Sequence, residues 1–310
     1  MSAIRNPRGA APAAPAAAEP QHAPIPAWHF PMLNDEARNS SYERALRSAV
    51  RPGDLVLDIG AGSGLLAMIA ADCGAGQVLS CETMPALART ARRIVGTNGL
   101  DRTVAVVAKS STELLVGTDL PGRADVVVTE TVDFGLLGEG ILPALRHARQ
   151  HLARPGAVLV PARARIVAVP VESSPLHGLN HVSTARGYDV RAFNDFAEPG
   201  YVEARLHQHE HRHLAAPQIV AAFDFTRDPL TAGHHEVPFT TETAGTCHGI
   251  AFWFELDLDD TTTLTNGPER PESHWPQAFS GFAEPRTTRR GEHLAVDISW
   301  DDSAVSFRCR

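Results

Sequence analysis

Hydrophobic and polar positions form two different patterns along the chain. Between residues 55 and 152, short and nearly continuous apolar runs alternate with longer amphipathic stretches. The predicted strands are Leu55–Ile59, Gly76–Glu82, Thr103–Ala108 and Arg123–Thr129, and the predicted helices start at Leu65, Pro85 and Ile141. Continuous apolar strands that alternate with helices are typical of a parallel sheet covered on both faces. The first pattern therefore predicts an α/β domain.

The second pattern begins after Pro161, where the helical spacing ends. The predicted strands here are Arg163–Val171, Gln218–Phe225, Thr246–Leu256 and His293–Trp300. Strands joined by irregular loops, without helices between them, favour an antiparallel β-domain built as a barrel or a sandwich. We therefore expect a domain boundary near Pro161.

The first 27 residues are rich in alanine and proline and follow neither pattern. Prolines interrupt every stretch that could serve as the apolar core of a signal peptide. We expect this segment to be a disordered tail.

Composition narrows the class of protein. The chain has 310 residues, of which 43% are hydrophobic, and this is enough for two packed domains. Its 28 basic and 36 acidic residues give a net charge of −8, which argues against a non-specific nucleic-acid binder. No apolar run reaches the ~18 residues of a membrane span. Four cysteines without CxxC spacing argue against a disulfide framework or a zinc site, so a cytoplasmic protein with reduced thiols is expected.

A glycine-rich turn follows the first predicted strand. Asp58 is the fourth residue of the strand Leu55–Ile59, and Gly60, Gly62 and Gly64 follow in a G-x-G-x-G spacing that differs from the dinucleotide-binding fingerprint. Such glycines let the backbone approach a ligand closely. Glu82 ends the second strand, where a carboxylate can accept hydrogen bonds from both hydroxyls of a ribose. The combination predicts an S-adenosylmethionine site, and the alternative is a tight structural turn.

Two acidic residues lie near the end of the fourth predicted strand. Glu130 ends the strand, and Glu139 lies nine residues further on, beyond a glycine-containing loop that can fold it back. Converging carboxylates repel each other unless a cation lies between them. A guanidinium fits this role because its planar N–H groups pair bidentately with carboxylates. The alternative is a pair of solvated loop acids, and Asp133 is a further acid of this loop that could touch a substrate or remain solvated.

Motifs in a fixed order make the chain resemble the protein arginine methyltransferases. The matching segments are Met32–Asn39, Gly60–Gly64, Glu82, Glu130–Glu139, Val160–Ala164, Gly187–Val190 and Ser273–Trp275. The first and fourth segments resemble the monomethylating branch. The resemblance implies a Rossmann-like methyltransferase domain at residues 28–161. It also implies an antiparallel β-barrel domain at 162–310, with a dimerisation arm at about 172–200 that makes a homodimer.

The resemblance also implies site residues. Those expected to bind S-adenosylmethionine are Arg38 at its carboxylate, Asp58, Gly60, Gly62 and Gly64 at its amino-acid end, Glu82 at the ribose, and Thr112 and Glu113 at the adenine. Those expected around the reaction are Glu130 and Glu139 on the guanidinium, Asp35 and His274 as a hydrogen-bonded pair, Trp275 as a wall, and Met32 beside the methyl group. The proton released on methylation could leave through Glu139 or through the Asp35–His274 pair.

The substrate that carries the guanidinium stays open between several classes. The Ala-, Arg- and Pro-rich composition is typical of a high-GC bacterial protein, and the family includes a bacterial member that methylates free L-arginine in streptozotocin biosynthesis. The resemblance therefore favours free L-arginine, converted to Nω-monomethyl-L-arginine in natural-product biosynthesis. A protein or peptide arginine is the alternative. A catalytically silent dimeric binding protein and an enzyme for another small nucleophile are further alternatives.

Two segments depart from the family pattern. Trp28, His29 and Phe30 stand where the family has a tyrosine-rich helix, so the aromatic cover of the site is expected to differ. The His207–His213 run places alternating histidines on one face, which could suit zinc. It lacks a carboxylate or cysteine set to complete a site, so a polar loop or strand face is expected and no metal is predicted.

Overall fold

The computed structural model describes residues 25–310. Residues 1–24 of the predicted tail (residues 1–27) therefore lie outside the described residues. The α-helices are α1 (His29–Leu33), α2 (Glu36–Ala49), α3 (Leu65–Asp72), α4 (Pro85–Thr97), α5 (Ile141–His147) and α6 (Ser174–His177). A π-helical turn (Ala148–Leu152) continues α5, and short 3₁₀ turns span Ser111–Glu113, Arg191–Phe196 and Leu206–Gln208.

The strands fall into two sets. The first set is β1 (Leu55–Ile59), β2 (Gln77–Cys81), β3 (Val104–Val107), β4 (Ala124–Thr129) and β5 (Ala153–Val160). The second set is β6 (Arg163–Glu172), β7 (Thr184–Ala185), β8 (Tyr188–Asp189), β9 (Val202–Ala204), β10 (Arg212–His213), β11 (Gln218–Asp224), β12 (Gly233–Thr240), β13 (Gly245–Asp257), β14 (Thr263–Thr265), β15 (Gln277–Thr288), β16 (His293–Trp300) and β17 (Val305–Cys309).

The first set forms a parallel sheet in the order β3-β2-β1-β4-β5. The apolar runs become its buried strands, with four consecutive buried residues in β1 and in β2. The chain proceeds from β1 to β2 and β3 on one side and returns to β4 on the other. Such a reversal of strand order opens a crevice at the carboxyl ends of the central strands. The Gly60–Gly64 turn and Glu130 both follow strands that end at this crevice.

The second set is antiparallel. A seven-stranded sheet runs in the order β10-β6-β13-β15-β9, with β11 also paired to β6 and β14 to β13, and a three-stranded sheet runs β12-β16-β17. The two sheets meet through aromatic side chains, with ring centroids 4.9 Å apart for Phe252 and Phe307 and 5.7 Å apart for Phe223 and Trp300. The predicted fold class, a Rossmann-like α/β domain followed by an antiparallel β-domain, is confirmed.

The two sets of strands share one buried core rather than meeting at a polar seam. Buried side chains form a continuous cluster from Tyr42 in α2 to Phe307 in β17. Hydrogen bonds also cross between the halves, since the Asn266 amide donates to the Phe134 carbonyl and the Trp275 indole donates to the Val132 carbonyl. The loop between β4 and α5 is therefore held from both sides. Within residues 25–310, no helix is long and apolar enough to cross a membrane.

Candidate active site

A cavity of about 420 Å³ lies at the crevice of the parallel sheet. Its lining includes many of the predicted site residues: Met32, Arg38, Gly60, Gly62, Glu82, Thr112, Glu130 and Glu139. The remaining predicted residues lie behind or beside the cavity and do not line it: Asp35, Asp58, Gly64, Glu113, His274 and Trp275.

The turn after β1 requires its glycines. Gly60, Gly62 and Gly64 have positive φ angles of 87°, 51° and 82°, a region that side chains with a Cβ rarely adopt. A Cβ on Gly60 would also lie only 2.8 Å from the Thr131 methyl group. Gly60 and Gly62 border the cavity, while Gly64 begins α3 behind it. The glycine spacing thus lets bare backbone form one wall of the cavity.

The Glu82 carboxylate is fixed at the end of β2 by two backbone donors. The N–H groups of Gly62 and Met84 each lie 2.9 Å from one of its oxygens. Glu82 is buried and faces the cavity. Carboxylate oxygens have further lone pairs, so this group can still accept hydrogen bonds from a diol in the cavity.

Glu113 has a local structural role. Its carboxylate accepts a hydrogen bond from the Ser110 N–H at 2.9 Å, and the Ser110 hydroxyl accepts one from the Thr112 N–H at 3.3 Å. This reciprocal capping box satisfies two donors at the start of the 3₁₀ turn. Glu113 is exposed and lies outside the cavity, whereas Ser110 and Thr112 line it. The predicted contact with adenine is therefore not pre-formed at Glu113.

Asp58 is fully buried in β1 and does not reach the cavity surface. The Ser80 hydroxyl donates to its Oδ2 at 2.6 Å, and its Oδ1 has no hydrogen-bond partner within residues 25–310. Burial penalises the charged carboxylate more than the Ser80 hydrogen bond favours it, and this raises the pKa of Asp58 to about 7.

A buried ion pair joins α2 to the end of β4. Arg38 Nη2 lies 2.7 Å from Glu130 Oε2, and the two side chains are 4% and 8% exposed. The Arg38 Nη1 donates to Asn39, and the guanidinium lies 5.3 Å from the centre of the Tyr42 ring. Its Nε has no partner within the described residues. One predicted site residue thus orients another while keeping a donor free.

Glu139 presents an unpaired carboxylate to the cavity. It makes no hydrogen bond or ion pair within residues 25–310, and it lines the cavity as an exposed residue. The surrounding atoms hinder hydration, and the charges of Glu130, Asp133 and Glu82 repel a further negative charge. Together they raise the pKa of Glu139 to about 7. A cation between Glu130 and Glu139 would relieve this repulsion.

Asp35 and His274 form the predicted pair. Asp35 Oδ2 lies 2.9 Å from His274 Nδ1 and accepts the His274 backbone N–H at 3.1 Å, while Oδ1 caps α2 by accepting the Arg38 N–H at 2.9 Å. Burial alone would raise the pKa of Asp35, but these hydrogen bonds hold it well below its ordinary value. Asp35 is therefore a fixed anion that orients the His274 ring. Trp275 lies next to that ring, with centroids 3.8 Å apart.

An aromatic pair covers the cavity where the sequence departs from the family pattern. The rings of Trp28 and His29 stack at 3.8 Å with an interplanar angle of 13°, and both line the cavity. The His29 Nδ1 lies 2.9 Å from the Pro26 carbonyl. The histidine run at 207–213 lies elsewhere, and no group of three metal-ligating side chains occurs in the part of the chain that the structure describes.

Comparison with known proteins identifies the lineage. Residues 162–310 match the family model described as the arginine methyltransferase oligomerization subdomain, and residues 43–136 match that of ribosomal protein L11 methyltransferase (PrmA). An arginine N(omega)-methyltransferase from Streptomyces achromogenes subsp. streptozoticus is 42% identical over 278 residues, which cover 90% of this chain and 77% of that protein. The chain belongs to the arginine methyltransferase family.

Two other members of the arginine methyltransferase family are less similar to this chain. Protein arginine N-methyltransferase 7 from Oryza sativa subsp. indica is 34% identical over 281 residues, which cover 80% of this chain and 39% of the rice protein. A solved structure of the Trypanosoma brucei PRMT1 enzyme–prozyme heterotetrameric complex with AdoHcy superimposes with a TM-score of 0.76. It covers 88% of this chain at 21% identity, which shows a shared fold.

Some lining residues of this arginine methyltransferase family member were not predicted from its sequence. Lys109, Ser110 and Thr131 border the cavity. Thr131 directly follows Glu130, and its place beside the glycine turn follows from the pairing of β1 with β4. The S-x-x-E spacing that ends at Glu113 is the sequence signature of a capping box, and it could have redirected attention to Ser110.

Proposed function

We propose that this arginine methyltransferase methylates free L-arginine on a terminal guanidinium nitrogen, with S-adenosylmethionine as the donor, and forms Nω-monomethyl-L-arginine. The observation that carries the proposal is the cavity in which the carboxylates of Glu130 and Glu139 face a common space beside the glycine turn. The similarity to the Streptomyces arginine N(omega)-methyltransferase supports the same substrate class.

The residues around the cavity fit S-adenosylmethionine. Its volume of about 420 Å³ falls within the usual range for small-molecule sites. The Arg38 guanidinium borders the cavity and suits a carboxylate, and Glu82 suits the ribose diol. Gly60 and Gly62 leave room for close approach by the backbone. When bound, this co-substrate supplies a methyl group on a positively charged sulfur.

Glu130 and Glu139 hold the guanidinium of the substrate in this proposal. Arg38 engages only Oε2 of Glu130, and no hydrogen bond within the described residues engages Oε1. A planar guanidinium can then lie between Oε1 of Glu130 and the carboxylate of Glu139. Two anions draw positive charge away from the nitrogen that attacks, and they orient its lone pair. Orientation is much of what an in-line displacement needs from an enzyme.

Two groups can receive the proton that methylation releases. Glu139, with its pKa raised to about 7, can accept a proton near neutral pH. The Asp35–His274 pair lies beside the site and is the second candidate, because a histidine held by a carboxylate can act as a proton relay. The two routes differ in the effect of His274→Gln, which slows product formation only if the histidine relays the proton.

The choice between free and peptidyl arginine can be tested directly. Initial rates are measured with L-arginine, with Nα-acetyl-arginine methylamide and with an arginine-containing peptide at equal concentrations. Free arginine as the substrate predicts at least tenfold faster turnover of L-arginine, because only it offers the charged α-carboxylate and α-ammonium groups. Faster turnover of the peptide would instead favour a protein or peptide arginine methyltransferase, the activity named for the rice relative.

The proposal extends to assembly and context. A domain at residues 28–161 would bind the donor, and a domain at 162–310 would carry a dimerisation arm at about 172–200. Phe193 and Phe196 of this arm are 68% and 81% exposed, as expected for side chains that a second copy covers. The match of residues 162–310 to an oligomerization subdomain supports a homodimer. We place the enzyme in the bacterial cytoplasm, in natural-product biosynthesis.

A further inference from the structure

The loop between β4 and α5 must fold back sharply for Glu139 to face Glu130. Two of its residues, Leu136 and Gly140, have positive φ angles of 84° and 79°. A non-glycine residue in this region is strained and persists only when contacts around it hold the backbone in place. Contacts elsewhere must therefore hold this loop in place.

Asp133 supplies one such contact within the loop. Its Oδ1 accepts the Gly138 N–H at 2.8 Å, and its backbone carbonyl accepts the Leu136 N–H at 3.0 Å. A Cβ on Gly138 would lie 2.6 Å from the Asp133 carboxyl group, so the glycine permits this close approach. Asp133 thus closes the loop immediately before Glu139.

Tyr201 holds the same carboxylate from the other half of the chain. Its hydroxyl donates to Asp133 Oδ2 at 2.8 Å. Its ring packs edge-on against Phe134 at 5.5 Å and Phe252 at 5.1 Å. A Cβ on Gly135 would lie 2.4 Å from the ring, so the loop is shaped around Tyr201.

Tyr201 occupies a particular place in the fold. It directly precedes β9, which pairs with the start of β15, and it follows the segment that leads out of α6 and the β7–β8 hairpin. Burial, together with the neighbouring Asp133 carboxylate, raises the pKa of Tyr201 far above its ordinary range. The phenol therefore stays protonated and remains a donor at any working pH.

We propose that Tyr201 is a positioning residue for the reaction: its hydroxyl, through Asp133, pins the 131–140 loop and thereby places Glu139 for the guanidinium. The β-domain then completes the substrate site of the α/β domain, although Tyr201 itself does not line the cavity. This inference rests on the proposed function of Glu139. It adds a residue that the sequence motifs did not indicate.

Asp133 acts on Glu139 in a second way that separates geometry from charge. Its negative charge is one cause of the raised pKa of Glu139. Tyr201→Phe removes the pinning hydroxyl but keeps the ring and the Asp133 charge. Asp133→Asn removes the charge, while an amide can still accept the Gly138 N–H and donate to the Tyr201 oxygen. Tyr201→Phe should therefore change the position of the loop, and Asp133→Asn should change the pKa of Glu139.

The test compares wild type, Tyr201→Phe, Asp133→Asn and Thr287→Val. Thr287 is a control for the loss of a hydroxyl group, because it is exposed on β15, outside the proposed arm, and its hydroxyl makes no hydrogen bond within residues 25–310. Each protein is assayed for kcat/KM with arginine against pH and for S-adenosylmethionine affinity by calorimetry. Hydrogen–deuterium exchange of the 131–140 segment gives a readout that does not depend on the substrate.

We expect Tyr201→Phe to lower kcat/KM about tenfold, the effect of losing one hydrogen bond to a charged group. Hydrogen–deuterium exchange in the 131–140 segment should become faster, and the affinity for S-adenosylmethionine should stay within twofold of wild type. The acidic side of the profile of kcat/KM against pH should not shift. Asp133→Asn should shift the acidic side of this profile to lower pH, because removing the negative charge of Asp133 lowers the pKa of Glu139. Thr287→Val should match wild type in every assay.

Three results for Tyr201→Phe would overturn the proposal: activity and exchange equal to wild type, activity lost without faster exchange in 131–140, or donor affinity and arginine turnover lost together. Failure of the wild-type protein to methylate arginine would instead refute the proposed function. The comparison of hydrogen–deuterium exchange in 131–140 between wild type and Tyr201→Phe would then decide by itself whether Tyr201 holds the loop in place.

Discussion

Replacing Arg38 by methionine removes the cation from a buried ion pair and leaves the Glu130 carboxylate without its partner. The two groups lie 2.7 Å apart, and their side chains are 4% and 8% exposed, so water from the cavity that Glu130 lines can replace the lost contact only in part. Removing one partner of such a pair costs about 3–5 kcal/mol. Loss of the guanidinium from above the Tyr42 ring adds about 1 kcal/mol or less. We therefore expect Arg38→Met to lower the free energy of unfolding by about 3–5 kcal/mol.

A double-mutant cycle isolates the pair from the other contacts of Arg38. Glu130→Gln alone leaves an unpaired buried cation, whereas Arg38→Met with Glu130→Gln leaves no buried charge. The double variant should therefore be more stable than the sum of the single changes predicts, with a coupling energy of about 2 kcal/mol or more. The free energy of unfolding of wild type, both single variants and the double variant is measured by urea unfolding at pH 8. Tryptophan fluorescence and circular dichroism should give coincident transitions. A coupling energy below about 0.5 kcal/mol would refute the view that Arg38 orients Glu130.

Three further changes test other parts of the site. The folded-state pKa of Glu139, about 7, exceeds its unfolded value of about 4.3, so this residue lowers stability as pH rises through that window. Glu139→Gln should thus have a higher melting temperature than wild type at pH 8 but not at pH 4, and should lose well over tenfold in kcat/KM for arginine. Gly60→Ala should weaken calorimetric S-adenosylmethionine binding at least tenfold, because its φ is 87° and the new Cβ would lie 2.8 Å from Thr131. Phe193→Ser with Phe196→Ser should convert a dimer to a monomer in sedimentation at micromolar concentration.

Each of these changes has a matched control. Gly96→Ala lies within α4 with open space around its Cβ position, and it should leave donor binding intact. Glu284→Gln replaces an exposed acid on β15 and should not change the melting temperature differently at the two pH values. Ile219→Ser removes an exposed apolar side chain on β11 and should leave the assembly state unchanged. Equal effects in a control and its partner would contradict the corresponding prediction.

Four of the five strands of the parallel sheet could be predicted to within a residue or two, because they are continuous apolar runs bounded by turns. β1 was predicted without error, and β2 and β4 within one residue at either end. The strands that were not predicted include β5, β12, β15 and β17, and β12 shows a physical reason. Only Val237 and Phe239 are buried in β12, so its apolar alternation is too short to stand out from a loop. Pairing with β16 supplies the stability that its own pattern does not indicate.

The site could be predicted where function acts on one short segment. Local spacing in the sequence indicates the glycine turn, Glu82 and the two acids of the 130–139 loop. Contacts between distant segments could not be predicted in the same way. Arg38 and Glu130 are 92 positions apart, and Tyr201 and Asp133 are 68 apart. Nothing in the local pattern around Arg38 or Tyr201 indicates which carboxylate each will meet.

The proposed single methylation of free arginine can be tested by mass spectrometry of the purified protein after incubation with S-adenosylmethionine and L-arginine. We expect an arginine product heavier by one methyl group, about 14 Da, together with an equal amount of S-adenosylhomocysteine. A protein that binds S-adenosylmethionine but yields no methylated arginine would refute the proposed function.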